Sequence, residues 1–360
     1  MLGAAALAAA PALSHAKADT SLRPLHLAAA WDTPQGARVG IVAIDGSARL
    51  TARIVASLDV PTRAHAVACA PDGSVLVVAR RPGDWMVRLR PAPRGEHVHA
   101  QRWQWIEPDR AFDGHVIATP DGTRVLTTET DLASGMGLVG VRDAATLEKL
   151  DEWPTHGRDP HELLWLASTG RARLAIANGG ISTLAETGRA KHDLAAMDPS
   201  LVVLDGRSGT CEGQWRLPDA RLSTRHLAQR DGVLAIALQA EHDDPHTRAQ
   251  SPVLALFDGR VLSAVPSPRQ LAGYGGGVAA TTDGFVVSCP RANGVAHFDA
   301  RGAWLGFIAL ADACPLAVIG EDLYIGGGTA VLRRDGAASA QAHLGRPVTL
   351  DNHWAALRTT

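Results

Sequence analysis

Aromatic residues form only 4% of the 360-residue chain, there are four cysteines, and neither sign of charge is in excess, with 35 Lys and Arg against 37 Asp and Glu. So few aromatics leave a core built from small aliphatic residues. Without a basic excess the chain lacks the electrostatic footprint that phosphate binding needs, which argues against a nucleic-acid partner. The locally basic stretch from Arg80 to Arg94 reads as strand and solvated loop. Cys69, Cys211, Cys289 and Cys314 share no metal-ligand spacing and read as free thiols.

Other absences narrow the chemistry. No apolar run reaches membrane-spanning length. The Ala-rich first 18 residues are too short to span, and they end in small residues suited to signal-peptidase cleavage, so they are expected to be a signal peptide. Lacking a basic start, that peptide is expected to begin upstream of Met1. The mature chain, residues 19–360, is then expected in the periplasm with no membrane span. Ser134 and Ser208 lack the GxSxG frame, and Gly179, Gly180 and Gly188 lack a phosphate-loop order. His161-Glu162 opens no HExxH zinc motif, because Trp165 stands where the second histidine must fall. Glu241–His246 lacks EF-hand order and reads as an acidic turn.

What is present is a recurrence. His65, His115, His161, His226 and His353 each open an apolar run that ends in a turn and is followed by a second run rich in Val, Ile, Leu and Ala. That form is a β-hairpin. Gly277 and Pro315 open two further copies without the histidine, and starts at 65, 115, 161, 226, 277, 315 and 353 lie 38 to 65 residues apart. Such periods surround the roughly 40–50 residues of a four-stranded propeller blade. The expected fold is therefore an all-β, seven-bladed β-propeller in one domain, with 36 Gly and 21 Pro serving its turns. A C-terminal strand at about 350–358 should join the N-terminal blade and close the ring. Cys289 and Cys314 fall in adjoining blades, the one pair an oxidising compartment would permit to bridge.

In a propeller the start of each innermost strand and the end of the next share one mouth of the central channel. Arg80, His115, Glu129, His161, Glu162, Asn178, Arg225, His226, Gln239 and His353 are thereby expected to line a polar funnel suited to a ligand. Imidazole is the commonest transition-metal ligand, so His115 and His161 with Glu129 form a candidate metal set for Fe or Cu, or the surroundings of a haem. Two considerations oppose it. A wide channel would hold its opposite walls too far apart for one ion, and a repeated histidine would serve equally well by bonding the neighbouring blade's backbone. The long insertion after Asn178 is either a lid on the funnel or an elaboration beneath the ring.

The segments GHVIATPDG, LTTETD, THGRDPHELL, IANGGI, GRAKHDLAAMDPSLVVLD, RLSTRHLA, GYGGGVA and DNHW resemble the exported bacterial family known as domain of unknown function 1513, in order and across nearly the whole mature chain. The resemblance implies a seven-bladed propeller of the YVTN-repeat class and twin-arginine export, although the twin arginine is absent here. It also implies a genomic setting shared with imelysin-like and di-haem oxidoreductase-like proteins of periplasmic iron uptake. The expected function is a binding or accessory protein in iron acquisition, and the alternative is a metal-dependent lactonase-like or dehydrogenase-like propeller enzyme, in which Glu129, Asn178 and Gln239 would have to hold the ion.

Overall fold

Each repeat folds as a four-stranded antiparallel sheet, and the seven sheets form the blades of a β-propeller. The computed structural model describes residues 24–46, 49–92, 97–167, 170–183, 187–188, 190–345 and 348–357, so the expected signal peptide and position 358 lie outside the described residues. The innermost strands are Ala64–Cys69, Arg110–Ala118, Pro160–Leu166, Leu222–Arg230, Gly277–Ala280, Ala313–Ile319 and Thr349–Ala356, in blades 1 to 7. Blades 1 to 6 run outward in chain order. Blade 7 is composite: Thr349–Ala356 pairs with Leu25–Thr33, which is followed by Gly36–Asp45 and Thr51–Asp59. The expected closure is present, with Ala356 opposite Leu27 and Thr349 opposite Asp32.

Both faces of each blade are buried, and the period of two assigns alternate residues to opposite neighbours. In the strand Leu25–Thr33, the side chains of Leu27, Ala29 and Trp31 pack with Ala317, Tyr324 and Val331 of blade 6. Ala28 and Ala30 pack with Val67, Val77 and Trp85 of blade 1. Repeated around the ring, this gives seven apolar clusters, one at each blade junction. The core is thus a set of wedges narrowing toward the axis, which small aliphatic residues fill without many aromatics.

The register of the inner strands breaks at equivalent places. Bulges fall between Ala64 and Val67, Phe112 and Val116, Pro160 and Leu163, Thr224 and Leu227, and Ala313 and Leu316. In blade 7 the partners jump from Leu350 to Trp354. Only blade 5 pairs in regular register, from Gly277 opposite Ser288. Every one of the five repeated histidines lies inside a bulge.

The pair considered for a bridge, Cys289 and Cys314, stands as two buried thiols, each raised to about 12 by burial. The acidic Glu241–His246 segment leads into a short helix, Pro245–Gln250, whose Asp244 accepts the amide of Thr247 as a cap. No described helix is long and apolar enough to cross a membrane.

The closing strand should be energetically decisive. Trp354, in the cluster between blades 6 and 7, lies against Gly326, where an added Cβ would stand 2.5 Å from the indole. Trp354→Ala should lower unfolding free energy by about 3–5 kcal/mol in urea titration, while Leu150→Ala, at a 59% exposed position, should change it by less than about 0.5 kcal/mol.

Candidate metal centre

The bulges aim the histidines at the axis. A bulge sets two or three residues of one strand against one of its partner and turns side chains out of the normal alternation. Ring centroids of His65, His115, His161, His226 and His353 lie 4.7 to 6.2 Å apart in the pairs that touch. Candidate ligand nitrogens of His65, His115, His161 and His226 all fall within 4.8 Å of one another. The expectation that the channel walls stand too far apart for one ion is therefore overturned: the bulges carry the side chains inward. Gly114 makes room for this, since at its φ of +103° an added Cβ would sit 2.8 Å from the His65 ring.

These rings do not lock the blades by bonding backbone. Both nitrogens of His65, Nε2 of His115 and His353, and Nδ1 of His161 and His226 are buried without a hydrogen-bond partner. The cross-blade ties are made by others: Thr128 Oγ1 donates to the His161 carbonyl at 3.4 Å, Thr224 Oγ1 to that of Asn178 at 2.7 Å, and Trp165 Nε1 to that of Ala118 at 2.9 Å. Within the cluster, Nε2 of His161 and Nε2 of His226 face each other at 3.1 Å. Two imidazoles sharing a tetrahedral ion at about 2.0–2.1 Å would stand about 3.3 Å apart.

Carboxylates sit behind the rings. Asp351 Oδ1 lies 3.8 Å from Nδ1 of His65, and Glu162 Oε1 lies 3.9 Å from Nδ1 of His115. Each carboxylate lies on the Nδ1 side of its ring, beyond hydrogen-bond distance. Asp351 is anchored by Arg63 Nε at 2.5 Å, and Glu162 accepts the Leu227 amide at 2.6 Å. On the mouth side, Asp159 bridges Arg81 and Arg225, with its Oδ2 2.9 Å from Arg225 Nη1.

Burial, and after it the neighbouring rings and arginines, holds all five imidazoles below their ordinary value of 6.5, with His353 at about 3. They are neutral at neutral pH, with lone pairs available. Burial pushes Glu162 up to about 8 and Asp113 up to about 7. Burial would also raise Asp351, but His65 and Arg63 outweigh it and hold that carboxyl below the usual carboxylate range.

The expected funnel is only partly realised. His115, His161, His226 and His353 converge, Glu162 backs them, and Arg225 caps them. The charge of Arg80 is felt at His65 and Cys314. Glu129 is a correction: it does not reach the imidazoles. It is buried with Arg142 at 2.7 Å and Lys149 at 2.7 Å, in a network that also takes in Glu107. The alternation of its strand turns it toward blade packing. Asn178 donates to the Thr155 carbonyl at 2.8 Å and Gln239 to that of Gly275 at 3.2 Å, so both serve blade junctions. Sequence reasoning missed the carboxylates Asp351 and Asp113, and left His65 out of the funnel. A signal for them exists in Asp113-Gly-His115, Asp159-Pro-His161 and Asp351-Asn-His353: Asp-x-His recurs at three bulges.

A cavity of about 380 Å³ lies at this mouth, walled by Arg81, Asp113, Thr130, Ser134 and Arg158. Ser182, Thr183, Gly188, Asp193 and Ala196 of the insertion form its other side, so the described part of the insertion lies over the mouth. It is pinned there by the Lys191–Glu241 ion pair and by Arg221 Nη1 donating to the Leu194 carbonyl at 3.1 Å.

Comparison with known proteins bears on the fold. The profile of a family described as protein of unknown function (DUF1513) matches residues 58–357. Among curated proteins none matches. Solved structures of similar architecture include the hydrazine synthase of Kuenenia stuttgartiensis, at 13% identity and TM-score 0.60, covering 82% of this chain and 89% of that one. Apo AztD from Citrobacter koseri, at 11% identity and TM-score 0.52, covers 94% of this chain and 99% of that one. A nidogen/laminin complex gives the same figures. Identities this low establish the shared propeller alone.

The proton balance of the cluster sets a pH dependence. With folded values below 6.5, the five imidazoles bind fewer protons in the folded than in the unfolded chain, so their stabilisation is present above pH 6.5 and lost as pH falls. Glu162 and Asp113 act oppositely, costing stability as pH rises from their ordinary 4.5 and 3.8 to about 8 and about 7. Five groups outweigh two on the acid side. The melting temperature of metal-free protein, read by calorimetry, should peak near about pH 7 and fall toward about pH 5, and His115→Asn with His226→Asn should flatten that fall.

Proposed function

The chain belongs to the DUF1513 family, and we propose that it is a metal-binding propeller that holds one transition-metal ion on its axis. The observation that carries this reading is the convergence of four buried, neutral imidazoles whose candidate ligand nitrogens all lie within 4.8 Å of one another. An all-nitrogen set of intermediate softness suits Fe(II), Cu, Zn or Ni rather than Mg or Ca. The rings pack too closely around the axis to leave a slot for a porphyrin, so the reading is a bare ion rather than haem. Asp351, held ionised by Arg63, lies close enough to His65 to offset part of the ion's charge.

The cluster favours holding over catalysis. Catalytic metal sites keep an open coordination position, whereas His65, His115, His161 and His226 are 2 to 6% exposed and a fifth ring closes the group. The lactonase-like alternative needs Glu129, Asn178 and Gln239 on one ion, and each is committed elsewhere. We place the protein in the periplasm as an accessory of metal acquisition, with iron the cargo and imelysin-like or di-haem oxidoreductase-like proteins as partners; the family resemblance supports this assignment.

Untagged protein dialysed against Fe(II), Cu(II) or Zn(II) and then against buffer should retain about one ion per chain by elemental analysis, with a raised melting temperature, since a ligand at 100 times its Kd adds about 2.7 kcal/mol. His115→Ala with His161→Ala should lose the ion. Glu129→Gln should keep it while losing about 3–5 kcal/mol of stability from the broken buried pair. Undiminished retention in the double variant, or none in the native protein, overturns the reading.

A further inference from the structure

The cavity at the mouth has no role in the metal site as described, yet it is built from groups of opposite charge. Arg81 and Arg158 line it, and so do Asp113 and Asp193. Hydroxyls of Thr130, Ser134, Ser182 and Thr183 lie between them, and Pro82, Ala111, Leu132 and Ala196 supply an apolar part. At about 380 Å³ it falls within the range of small-molecule sites and far exceeds an inorganic anion. The mixture of apolar and polar wall calls for a carbon skeleton bearing oxygens.

The arginines are arranged for a carboxylate guest. Arg225, 1% exposed, gives Nη1 to Asp159 but leaves Nε and Nη2 without partners. Arg225 does not itself line the cavity, but Asp159 joins it to Arg81, which does. Arg158 holds the Ser134 and Gly135 carbonyls with Nη1 at 3.1 and 3.2 Å, which fixes its planar group at the cavity edge. Guanidinium forks match carboxylates in a way that point charges do not.

A free polyanion would meet Asp113 and Asp193 as well as the arginines. A carboxylate already wrapped around a metal ion meets both signs correctly, its outer oxygens on Arg81 and Arg158 and its ion toward Asp113, two residues from His115. We propose that the cavity is the docking site of a small di- or tricarboxylate metal chelate, from which the ion passes to the imidazoles. Delivery rests on the metal-site reading, but chelator binding does not, and the two fail separately.

The test is equilibrium dialysis of radiolabelled citrate against the whole protein under anaerobic conditions, with and without one equivalent of ferrous ion. Saturable uptake of one citrate per chain, tighter with the ion, is expected. Arg158→Met should weaken it at least tenfold, and Thr183→Trp, which fills the cavity from the insertion without altering charge, should abolish it. His115→Ala with His161→Ala should still take up citrate while losing the retained ion. No saturable uptake by the native protein under either condition, or uptake unchanged in both cavity variants, overturns the proposal. Uptake as expected together with undiminished ion retention in the histidine pair would instead overturn the metal centre alone.

Discussion

The organisation of the molecule turns on a break in strand register. In a regular blade every inward residue of the first strand faces one or other neighbouring blade, and none faces the axis squarely. The extra residues at 65–66, 113–115, 161–162, 225–226 and 351–353 leave that alternation, and their histidines meet at the axis instead. Everything else at the site follows from this placement. Burial of the rings against one another keeps them neutral and leaves both nitrogens of His65 and one nitrogen of each other ring without a hydrogen-bond partner. Unsatisfied buried polar groups cost about 1–3 kcal/mol each, and a protein retains several together where a ligand offsets them.

The surrounding charges divide by position. Asp351 and Glu162 stand behind the rings, and the ionised Asp351 softens the repulsion a cation would meet. Guanidiniums of Arg81 and Arg225 are held toward the mouth by Asp159, which spans from blade 3 to blade 4 on one side and to blade 1 on the other. Blade 2 lies between blades 1 and 3, so the Arg81–Asp159 contact passes over its inner strand. Arg81 also lines the cavity, so this chain of ion pairs runs from the cavity wall to blade 4.

The ring and its closure were legible because they depend on periodicity. Alternation of apolar residues and regular spacing of turns survive in a single sequence, and the split blade follows from counting repeats. The histidines were legible as equivalent positions for the same reason. Their convergence was not, because a regular strand starting at His65 or His161 would keep its side chains on the wall of a wide channel, and a bulge leaves no composition mark at this resolution of reading. Glu129 shows the reverse error. Its place at the end of a second strand suggested the mouth, but strand alternation puts it on the same face as Thr127 and, on the next strand, Arg142, where a buried salt bridge claims it. The Asp-x-His recurrence was the available clue to the carboxylates around the rings, since an acid two residues ahead of a bulged histidine can land beside the next blade's bulge, as Asp351 does beside His65.

Closure on the axis also bears on what kind of function the fold can host. A propeller enzyme needs its reactive groups open to a substrate-sized space, and here the substrate-sized space and the titratable cluster are different places. The 380 Å³ cavity holds arginines, hydroxyls and Asp113 but none of the histidines, while the histidines have room for little more than an ion. No histidine lines the cavity, so a molecule held there would stand apart from the imidazole cluster. That separation is the physical reason to read the site as one that receives and holds, with the two compartments dividing recognition of a carrier from retention of its cargo.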